Sequence, residues 1–445
     1  MPQMKRILTI AGSDSGGGAG IQADIKTITV LGGYAMSVIT AITAQNTTGV
    51  QGILPVSPEF IGKQVDSVLS DIGVDAVKTG MLFEEAAIEI VAGRIKKENI
   101  EKVVVDPVMV AKGGEPLLVA DARDALVTQM VPLSYLITPN IPEAEVFLGR
   151  PIKTDKDVRE AARTIHGMGA ANVLVKGGHR TGPALDILFD GRDFYEFEKE
   201  RIDTAGTHGT GCTYSSAIAT FVGQGYPLRD SIEMAKGFIQ RAIKFAFPLG
   251  SGHGPTNHYA HIARECSRYE TLKALNKGLE RLKVLSIAHL VPEVQTNFGY
   301  AIPFAESAAD VAAFPGRIIR IHDRIETVAG PAFGASRHIA SIILAVMRYN
   351  AEYRSAINIR FSEELIARCG KLGWEICSFD RAMEPKDVKE QEGSTLEWGT
   401  DSVLSSAHKM PDMIFDRGDW GKEPMIRILG KDPNDVVNRI IELVG

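Results

Sequence analysis

Residues 11–20 in the first half of the chain have the composition of a ligand-binding loop. This glycine-rich segment follows an apolar run and precedes a helical pattern, so a strand would lead into a glycine turn and then a helix. Glycines let backbone N–H groups approach a ligand because no side chain blocks the approach. A flexible tight turn is the alternative, and the segment fits neither common nucleotide-binding glycine motif. The order of the elements favours a ligand loop, whose ligand this segment alone does not identify.

A second glycine-rich segment, residues 203–213, contains Gly209 and Gly211 and precedes an apolar helical pattern over residues 214–222. The free N–H groups and the positive dipole end of such a helix would converge on an anion. A transferring phosphoryl group carries charge of this kind on its equatorial oxygens. An ordinary capped helix is the alternative, but three glycines around a Thr/His cluster exceed what a cap requires. We therefore predict an anion hole.

Cys212 lies at the start of the same helix and has two interpretations. Free cysteine is usually a small buried residue. A helix N-terminus, however, lowers the pKa of a thiol and would make it a proton acceptor. The spacing does not separate these interpretations.

Polar residues follow three further predicted strands. Asp106 follows residues 103–105 and would reach the carboxyl edge of a sheet, where open α/β folds bind ligands. Lys176 ends another strand and could contact a nucleotide phosphate. Asn140 and Glu143 could hold Mg²⁺ through water, although an Asn-Pro turn and helix start explain that segment when it is taken alone. Together with the anion hole, these residues point to magnesium-dependent phosphoryl transfer.

The elements that would position these residues alternate between strands and helices as far as about residue 247. The candidate strands are apolar on both faces, which is typical of strands covered on both sides. The alternation predicts an α/β domain with a parallel, doubly covered sheet, apart from a hairpin turning at Asp190 and Gly191. The candidate strands are residues 38–42, 76–78, 103–105, 135–138 and 173–176, and the candidate helices are residues 57–72, 84–97 and 155–168.

Glycine and proline in residues 247–255 interrupt this pattern, and we place a domain boundary near residue 262. We expect one domain over residues 1–262 and a smaller, mixed α/β domain over residues 266–445. The second domain would contain helices at residues 270–285, 335–349 and 436–444, and strands at residues 299–302, 317–321 and 357–361.

The second half also offers groups suited to phosphates. Arg317 lies in a segment that alternates arginines and apolar residues, and Ser336, Arg337 and His338 precede an apolar helix. Basic groups at a helix N-terminus oppose the dipole unless an anion joins them. An anion site is therefore favoured over a simple cap by Ser336 with a solvated Arg337. The polar loop at residues 416–424 suits a metal or pyrophosphate, and equally a solvated connection.

Composition limits the classes of function. The chain has 445 residues, 44% of them hydrophobic and 23% charged, as in soluble globular proteins of two or three domains. The net charge of −6 gives no reason to expect a nucleic acid or a membrane as partner. Four cysteines without a C-x-x-C pair fit a reducing compartment, and neither a signal peptide nor a bilayer-spanning run is evident. We expect a cytoplasmic homo-oligomer that acts on small molecules.

Residues 1 to about 260 closely resemble the hydroxymethylpyrimidine kinase / phosphomethylpyrimidine kinase family of the ribokinase-like fold. The resemblance implies two successive phosphorylations by ATP with Mg²⁺. The first is on the hydroxymethyl group of 4-amino-5-hydroxymethyl-2-methylpyrimidine, and the second is on the resulting phosphate. The matching segments are residues 11–20, 39–50, 78–81, 105–109, 138–143, 176–179, 207–212 and 252–255.

The resemblance also implies roles for residues at the matching positions. Gln45 would recognise the pyrimidine, since an amide pairs with a ring nitrogen and the exocyclic amine together. Met81 would pack on the ring, and Gly12 and Asp24 would complete the substrate site. Cys212 takes the place of the basic aspartate of sugar kinases of this fold, so its role as base is a hypothesis. Phosphate and ATP binding would fall to Lys176, Thr207, Gly209 and Gly211, and metal binding to Asp106, Asn140 and Glu143.

Residues from about 266 to 445 resemble the thiamine-phosphate synthase domain found fused behind this kinase. The matching segments are residues 291–297, 315–319, 333–338 and 411–421. The resemblance implies joining of the pyrimidine pyrophosphate to thiazole phosphate with release of pyrophosphate. Arg317 and His338 would be catalytic, because arginine holds phosphate oxygens bidentately and histidine donates to the same charge or orients the thiazole phosphate.

The sequence thus predicts a bifunctional enzyme of thiamine biosynthesis. One alternative makes the second half a regulatory sensor of thiamine phosphate, which Arg317, His338 and the lack of an evident DNA-binding helix pair disfavour. The other alternative is a general sugar kinase, which Gln45 and Cys212 disfavour.

Overall fold

The computed structural model describes residues 4–109, 122–178, 182–385 and 394–445. The chain divides into two compact units, Met1–His261 and Ile262–Gly445.

The first unit is built on one sheet of nine strands. These are β1 (Arg6–Asp14), β2 (Tyr34–Asn46), β3 (Gly49–Pro55), β4 (Ala76–Thr79), β5 (Val103–Val105), β6 (Leu136–Ile137), β7 (Val173–Val175), β8 (Ala184–Phe189) and β9 (Phe194–Lys199). Their order is β3-β2-β1-β4-β5-β6-β7-β8-β9. Six neighbouring strands, β2, β1, β4, β5, β6 and β7, are parallel. β3 at one edge and β8 and β9 at the other edge are antiparallel to their neighbours.

Helices cover both faces of this sheet, as the doubly apolar strands predict. Val103 and Val105 pack into the core on one face, and Val104 between them packs into the core on the other. The helices are α1 (Gly20–Val30), α2 (Pro58–Asp71), α3 (Glu85–Lys97), α4 (Ala122–Ala125), α5 (Ile141–Leu148), α6 (Asp155–Gly167), α7 (Thr210–Gln224) and α8 (Leu228–Lys244). Residues of α2, α3 and α6 belong to the first core, and residues of α7 and α8 to the second.

The predicted α/β architecture is confirmed, with two informative differences. The hairpin at Asp190 forms as expected, with the Asp190 carboxylate accepting the N–H groups of Arg192 and Asp193 at 3.0 and 2.7 Å. The edge strand β3 has no counterpart in the sequence prediction, because its residues are largely exposed and give no apolar pattern. β2 runs through Asn46, beyond the predicted end of its strand.

The second unit has a seven-stranded sheet and a separate two-stranded one. The strands are β10 (Phe298–Ala301), β11 (Val311–Ala313), β12 (Ile318–Ile321), β13 (Arg324–Thr327), β14 (Ala332–Phe333), β15 (Ser355–Arg360), β16 (Ile376–Ser378), β17 (Met413–Asp416) and β18 (Met425–Gly430). The order is β14-β11-β10-β15-β18-β17-β16, and β12 pairs with β13. All pairs are antiparallel except β16 with β17.

Helices cover both faces of the larger sheet as well. The helices are α9 (Tyr259–Lys283), α10 (Arg337–Tyr349), α11 (Glu363–Lys371), α12 (Ser394–Leu404) and α13 (Pro433–Val444). Apolar residues of α9 and α13 share one core, and those of α10 and α12 share the other. α9 begins 11 residues before the predicted helix at 270–285. Within the described part of the chain, no helix is long and apolar enough to cross a membrane.

Candidate functional site

The two glycine-rich segments of the first unit pack against each other where β1 leads into α1 and where α7 begins. A Cβ atom on Gly209 would lie 1.7 Å from the carbonyl oxygen of Gly18, and one on Gly18 would lie 2.2 Å from Cδ2 of His208. Gly209 also has a φ of 78°, which disfavours any residue with a side chain. Glycine is therefore required at this junction.

The amides of the first glycine segment are held by the chain itself. The carboxylate of Asp14 accepts the N–H groups of Gly16, Gly18 and Ala19 at 2.8, 3.0 and 2.7 Å. Burial would raise the pKa of Asp14, but His208 Nε2 at 2.9 Å and these amides hold it below its usual value. The expectation of a ligand loop at residues 11–20 is corrected in this respect, because these three N–H groups already have an acceptor.

The start of α7 is different. The backbone N–H of Thr210 donates to the carbonyl of Thr207 at 3.4 Å, and the backbone N–H of Thr213 donates to the carbonyl of Gly209 at 2.9 Å. Between them, the N–H groups of Gly211 and Cys212 have no acceptor among the described residues. Uncapped amides at a helix N-terminus attract an anion, so this geometry fits the predicted anion hole.

Charged side chains from two other strand ends lie beside Gly211. A Cβ atom on Gly211 would be 3.5 Å from both Lys176 Nζ and Asp106 Oδ2. Lys176 donates to Asp106 at 2.8 Å, and Ser215 donates to the same carboxylate at 3.3 Å. Burial would raise the pKa of Asp106, but the positive charges of Lys176 and Lys78 hold it below its usual value. His179, part of the segment that contains Lys176, lies outside the described residues.

Asn140 and Glu143 form a capping box at the start of α5. Asn140 Oδ1 accepts the N–H of Glu143 at 2.9 Å, and the Glu143 carboxylate accepts the N–H of Asn140 at 2.8 Å. Burial raises the pKa of Glu143 to about 7, and Asp106 adds to this rise while Lys176 opposes it. The helix-start interpretation is therefore confirmed, and the Asn140 side-chain oxygen is occupied by the cap. Among the described residues, no group of three or more His, Cys, Asp or Glu side chains could hold a metal ion.

Of the two interpretations of Cys212, the surroundings of the side chain disfavour a thiol with a lowered pKa. Burial raises the pKa of its thiol to about 11, and the neighbouring carboxylates of Asp24 and Asp106 add to this rise. Lys78 and the N–H of Gly20 oppose it without reversing it. The helix N-terminus is thus outweighed by desolvation, and the resting group is a neutral thiol.

Asp24 is a supporting residue in this structure. It is fully buried, and its carboxylate accepts from Thr9 at 2.6 Å, from Ser216 at 2.6 Å and from Lys78 at 3.0 and 2.9 Å. With these bonds made, the carboxylate is not available to a substrate. The sequence reasoning included Lys78 in a matching segment but gave it no role. Burial would lower the pKa of Lys78, but the carboxylates of Asp24 and Asp106 outweigh this effect and keep the lysine charged.

The other expected substrate residues lie close to the glycine segments. A Cβ atom on Gly12 would lie 3.3 Å from both Sδ and Cε of Met81, so the Met81 side chain packs against Gly12. Gln45 is half-buried, with its Oε1 accepting from Thr43 at 3.1 Å and its Nε2 3.5 Å from His208 Nε2. The Asp14–His208 pair was also missed, and Asp14 at a strand end before glycines is the signal that could have found it.

The second unit contains a cavity of about 510 Å³ that brings Arg317 and His338 together. Arg317 has a φ of 66° and precedes β12, and its guanidinium donates to the carbonyl of Val294. Ser336 caps α10 by accepting from Ile339 at 3.5 Å and also lines the cavity, whereas Arg337 is exposed and is not part of the lining. Ser336 therefore forms the expected cap, and Ser336 and His338 also face the cavity where we predict an anion.

The cavity contains further cations, and only one of them lies in a segment that the sequence reasoning had singled out. Arg381, Lys422 and Arg427 line it together with the apolar side chains of Val294, Ile339, Ile342, Leu396 and Met425. Lys422 belongs to the polar loop at residues 416–424, so this loop contributes to the cavity. Arg381 and Arg427 carried no signal because they come from a short 3₁₀ turn and from the middle of a strand.

Both halves of the chain are similar to known proteins. The family model described as Phosphomethylpyrimidine kinase matches residues 14–257, and the model described as Thiamine-phosphate synthase ThiN matches residues 274–442. The chain is 56% identical over 253 residues to the thiamine biosynthesis bifunctional protein ThiED of Geobacter sulfurreducens, a match covering 57% of this chain and 52% of that protein. It is 47% identical over 257 residues to the hydroxymethylpyrimidine/phosphomethylpyrimidine kinase of Bacillus subtilis, covering 57% of this chain and 95% of that protein.

Solved structures show the same fold for the first half. The ADP complex of Bacillus subtilis pyridoxal kinase is 43% identical with a TM-score of 0.55, covering 58% of this chain and 98% of that one. Pyridoxal kinase from Staphylococcus aureus in complex with AMP-PCP and pyridoxal is 33% identical with a TM-score of 0.54. This match covers 58% of this chain and 95% of that one. The fold of the first half is therefore ribokinase-like, as expected. The second half matches the model described as Thiamine-phosphate synthase ThiN, and the chain belongs to the phosphomethylpyrimidine kinase family.

Proposed function

We propose that the first unit phosphorylates 4-amino-5-hydroxymethyl-2-methylpyrimidine and then its phosphate, with ATP as donor. The observation that carries this proposal is the pair of uncovered N–H groups, on Gly211 and Cys212, beside Lys176. Such donors stabilise the charge that develops on a transferring phosphoryl group. Complexes of related pyridoxal kinases with ADP and AMP-PCP support a nucleotide as co-substrate.

In the proposed reaction, the substrate hydroxyl oxygen attacks the γ-phosphorus, and the bond from that phosphorus to the β-phosphate oxygen breaks. The hydroxyl proton passes to the thiolate form of Cys212, which is a minor form because the pKa of the thiol is about 11. Lys176 and the α7 amides hold phosphate oxygens, Gln45 pairs with the pyrimidine, and Met81 with Gly12 forms the surface beneath the ring. Asp24 keeps Lys78 in place behind this site.

Mg²⁺ is the metal that this reaction class implies, and two side chains suit it. Asp106 and Glu143 supply oxygen donors close enough to influence each other's charge, which is the small set of carboxylates that Mg²⁺ uses beside substrate phosphates. A bound ion would neutralise phosphate charge and favour the ionised form of Glu143. Asn140 would contribute by holding Glu143 through the capping box rather than through its own side-chain oxygen.

We propose that the second unit joins the pyrimidine pyrophosphate to thiazole phosphate. The cavity that carries Arg317 and His338 combines cations for phosphate groups with apolar side chains for rings. Arg317 would hold phosphate oxygens and His338 would donate to the same charge. The two activities would divide near residue 262, in a cytoplasmic homo-oligomer.

The experiment is a substrate panel on the full-length protein with ATP and Mg²⁺. We expect phosphorylation of the hydroxymethylpyrimidine and of its phosphate, little phosphorylation of ribose, and thiamine phosphate once thiazole phosphate is added. Pyridoxal belongs in the panel because of the related structures. Phosphorylation of sugars alone, or the absence of thiamine phosphate when both condensation substrates are supplied, would contradict the proposal for the corresponding unit.

A further inference from the structure

A buried cluster of charges borders the cavity of the second unit, and none of its side chains has been given an individual role above. Asp416, which ends β17, is fully buried and accepts from Nε and Nη2 of Arg381 at 2.6 and 3.2 Å. Nη2 of Arg427 lies 2.7 Å from Oδ2 of the same carboxylate. Two guanidinium groups therefore share one carboxylate, and the Arg381–Asp416–Arg427 cluster carries a positive charge that Asp416 does not neutralise.

One donor of Arg427 lacks a partner in the described part of the chain. Its side chain is 3% exposed, and Nη1 is buried without a hydrogen-bond acceptor among the residues that the structure describes. Buried donors in native proteins are nearly always bonded, because an unbonded one loses its hydration without compensation. Arg427 lines the cavity of Arg317 and His338, so a ligand that reaches its guanidinium group from the cavity would supply the acceptor.

The carboxylates near the cavity are already occupied. Glu423 lines it, but its two oxygens accept the N–H groups of Glu293 and Val294, both at 3.0 Å. Asp416 also accepts the N–H of Gly418 at 2.9 Å. Lys422 adds a further cation to the lining. Charge and free hydrogen-bonding capacity together favour an anionic ligand with several acceptor oxygens.

We propose that Arg427, held in place by Asp416 together with Arg381, binds the diphosphate group of the pyrimidine substrate and the pyrophosphate that leaves. Nη1 donates to a non-bridging oxygen, and the fork geometry of the guanidinium suits phosphate oxygens. The identity of the diphosphate rests on the proposed synthase function, whereas the existence of an anion subsite does not. Arg381 and Asp416 are positioning residues in this arrangement.

Tryptophan fluorescence of the full-length protein tests the subsite without catalysis. All three tryptophans, Trp374, Trp398 and Trp420, belong to the second unit, so their fluorescence reports on that unit. We expect inorganic pyrophosphate to change this fluorescence in the wild type and to bind about tenfold or more weakly to Arg427→Gln. Arg427→Lys, which keeps the charge beside Asp416, should bind with intermediate strength.

Arg439→Gln is the matched control. Arg439 is a largely buried arginine of the same unit that pairs with Asp412 at 2.6 Å and does not line the cavity, so its replacement should leave pyrophosphate affinity within about twofold. Unfolding followed by the same fluorescence shows whether each variant is folded. If Arg427→Gln is unfolded, the pyrophosphate affinity of Arg427→Lys tests the subsite in its place. A wild type without response, or a folded Arg427 variant that binds as tightly as the wild type, would overturn the subsite.

Steady-state kinetics of thiamine phosphate formation separate the two substrates. Arg427→Gln should raise the KM for the pyrimidine pyrophosphate and leave that for thiazole phosphate unchanged, and the reverse pattern would overturn the assignment to the diphosphate. A wild type that binds pyrophosphate through Arg427 but makes no thiamine phosphate would retain the anion subsite and refute the synthase function.

Discussion

At the scale of single residues, Cys212 shows how burial outweighs a local helix effect. The helix N-terminus stabilises a thiolate, yet desolvation and two nearby carboxylates raise the pKa of the thiol to about 11. Below this pKa, the fraction of Cys212 in the thiolate form rises about tenfold with each unit of increasing pH. The proton-acceptor role therefore predicts a rate that depends on pH.

We expect the rate of the first phosphorylation to rise with pH across the neutral and mildly alkaline range in the wild type. Cys212→Ala should show a lower rate, by about tenfold or more, and a flat profile, because no thiolate is formed. The control is Cys266→Ala, which removes an exposed cysteine. Phosphorylation kinetics over pH provide the measurement, and an unchanged rate in Cys212→Ala would remove this side chain from the mechanism.

Glu143 predicts a pH dependence of stability. Its pKa is raised to about 7 in the folded protein from an ordinary 4.5, so between these values the folded state binds more protons than the unfolded state. The free energy of unfolding therefore falls as pH rises through this window, by up to about 3 kcal/mol, and falls no further above it.

Glu143→Gln removes this loss and retains a residue that serves in a capping box. We expect the variant to match the wild type near pH 4.5 and to unfold at a higher temperature at neutral pH and above. Thermal unfolding of both proteins over pH measures the difference. A difference in Tm that is the same at every pH would show that folding does not raise the pKa of Glu143. The variant should also require more Mg²⁺ for activity if Glu143 helps to hold the ion.

At the scale of elements, α7 is the helix on which the kinase site depends. It lies between two glycines in left-handed conformations, Gly209 with a φ of 78° and Gly225 with a φ of 96°. A Cβ atom would collide with the Gly18 carbonyl at the first position and meet nothing within 4 Å at the second. A side chain would thus strain the backbone at both ends of the helix, but it would collide with neighbouring atoms only at Gly209.

We expect Gly225→Ala to cost about 1–2 kcal/mol of stability, a few degrees in Tm, and to leave phosphorylation nearly intact. Gly209→Ala should cost more, because the Gly18 segment must move, and should abolish phosphorylation by displacing the α7 amides. Thermal unfolding and kinase assays of both variants test this. Equal activities in the two variants would argue against a site at the start of α7.

At the scale of the whole molecule, the two units have separate cores, so damage to one site should spare the other. We expect Arg317→Ala to lose thiamine phosphate formation by about tenfold or more, because a charge-assisted contact to phosphate is removed. Its rates for the two phosphorylations should stay within about twofold of the wild type. Gly209→Ala should lose the two phosphorylations. When it is supplied with pyrimidine pyrophosphate, it should still form thiamine phosphate at nearly the wild-type rate. Loss of both activities in either variant would contradict independent sites.

Short-range patterns in the sequence determined much of this protein. Runs such as Val103–Val105, apolar on both faces, predicted a doubly covered sheet, and the glycines around Gly209 predicted a helix that begins with open amides. These features depend on backbone conformation and on burial periodicity, which neighbouring residues specify.

The tertiary structure decided which groups are available for chemistry. Asp14 occupies the amides of its own loop, Asp24 is paired with Lys78 across 54 residues, and Arg381 shares Asp416 with Arg427 from separate elements. Hydrogen bonds and desolvation depend on what surrounds a side chain in space, and those surroundings come from residues far apart in the chain. For this reason the sequence located the candidate sites but did not give the charge of Cys212, the support role of Asp24 or the unpartnered donor of Arg427.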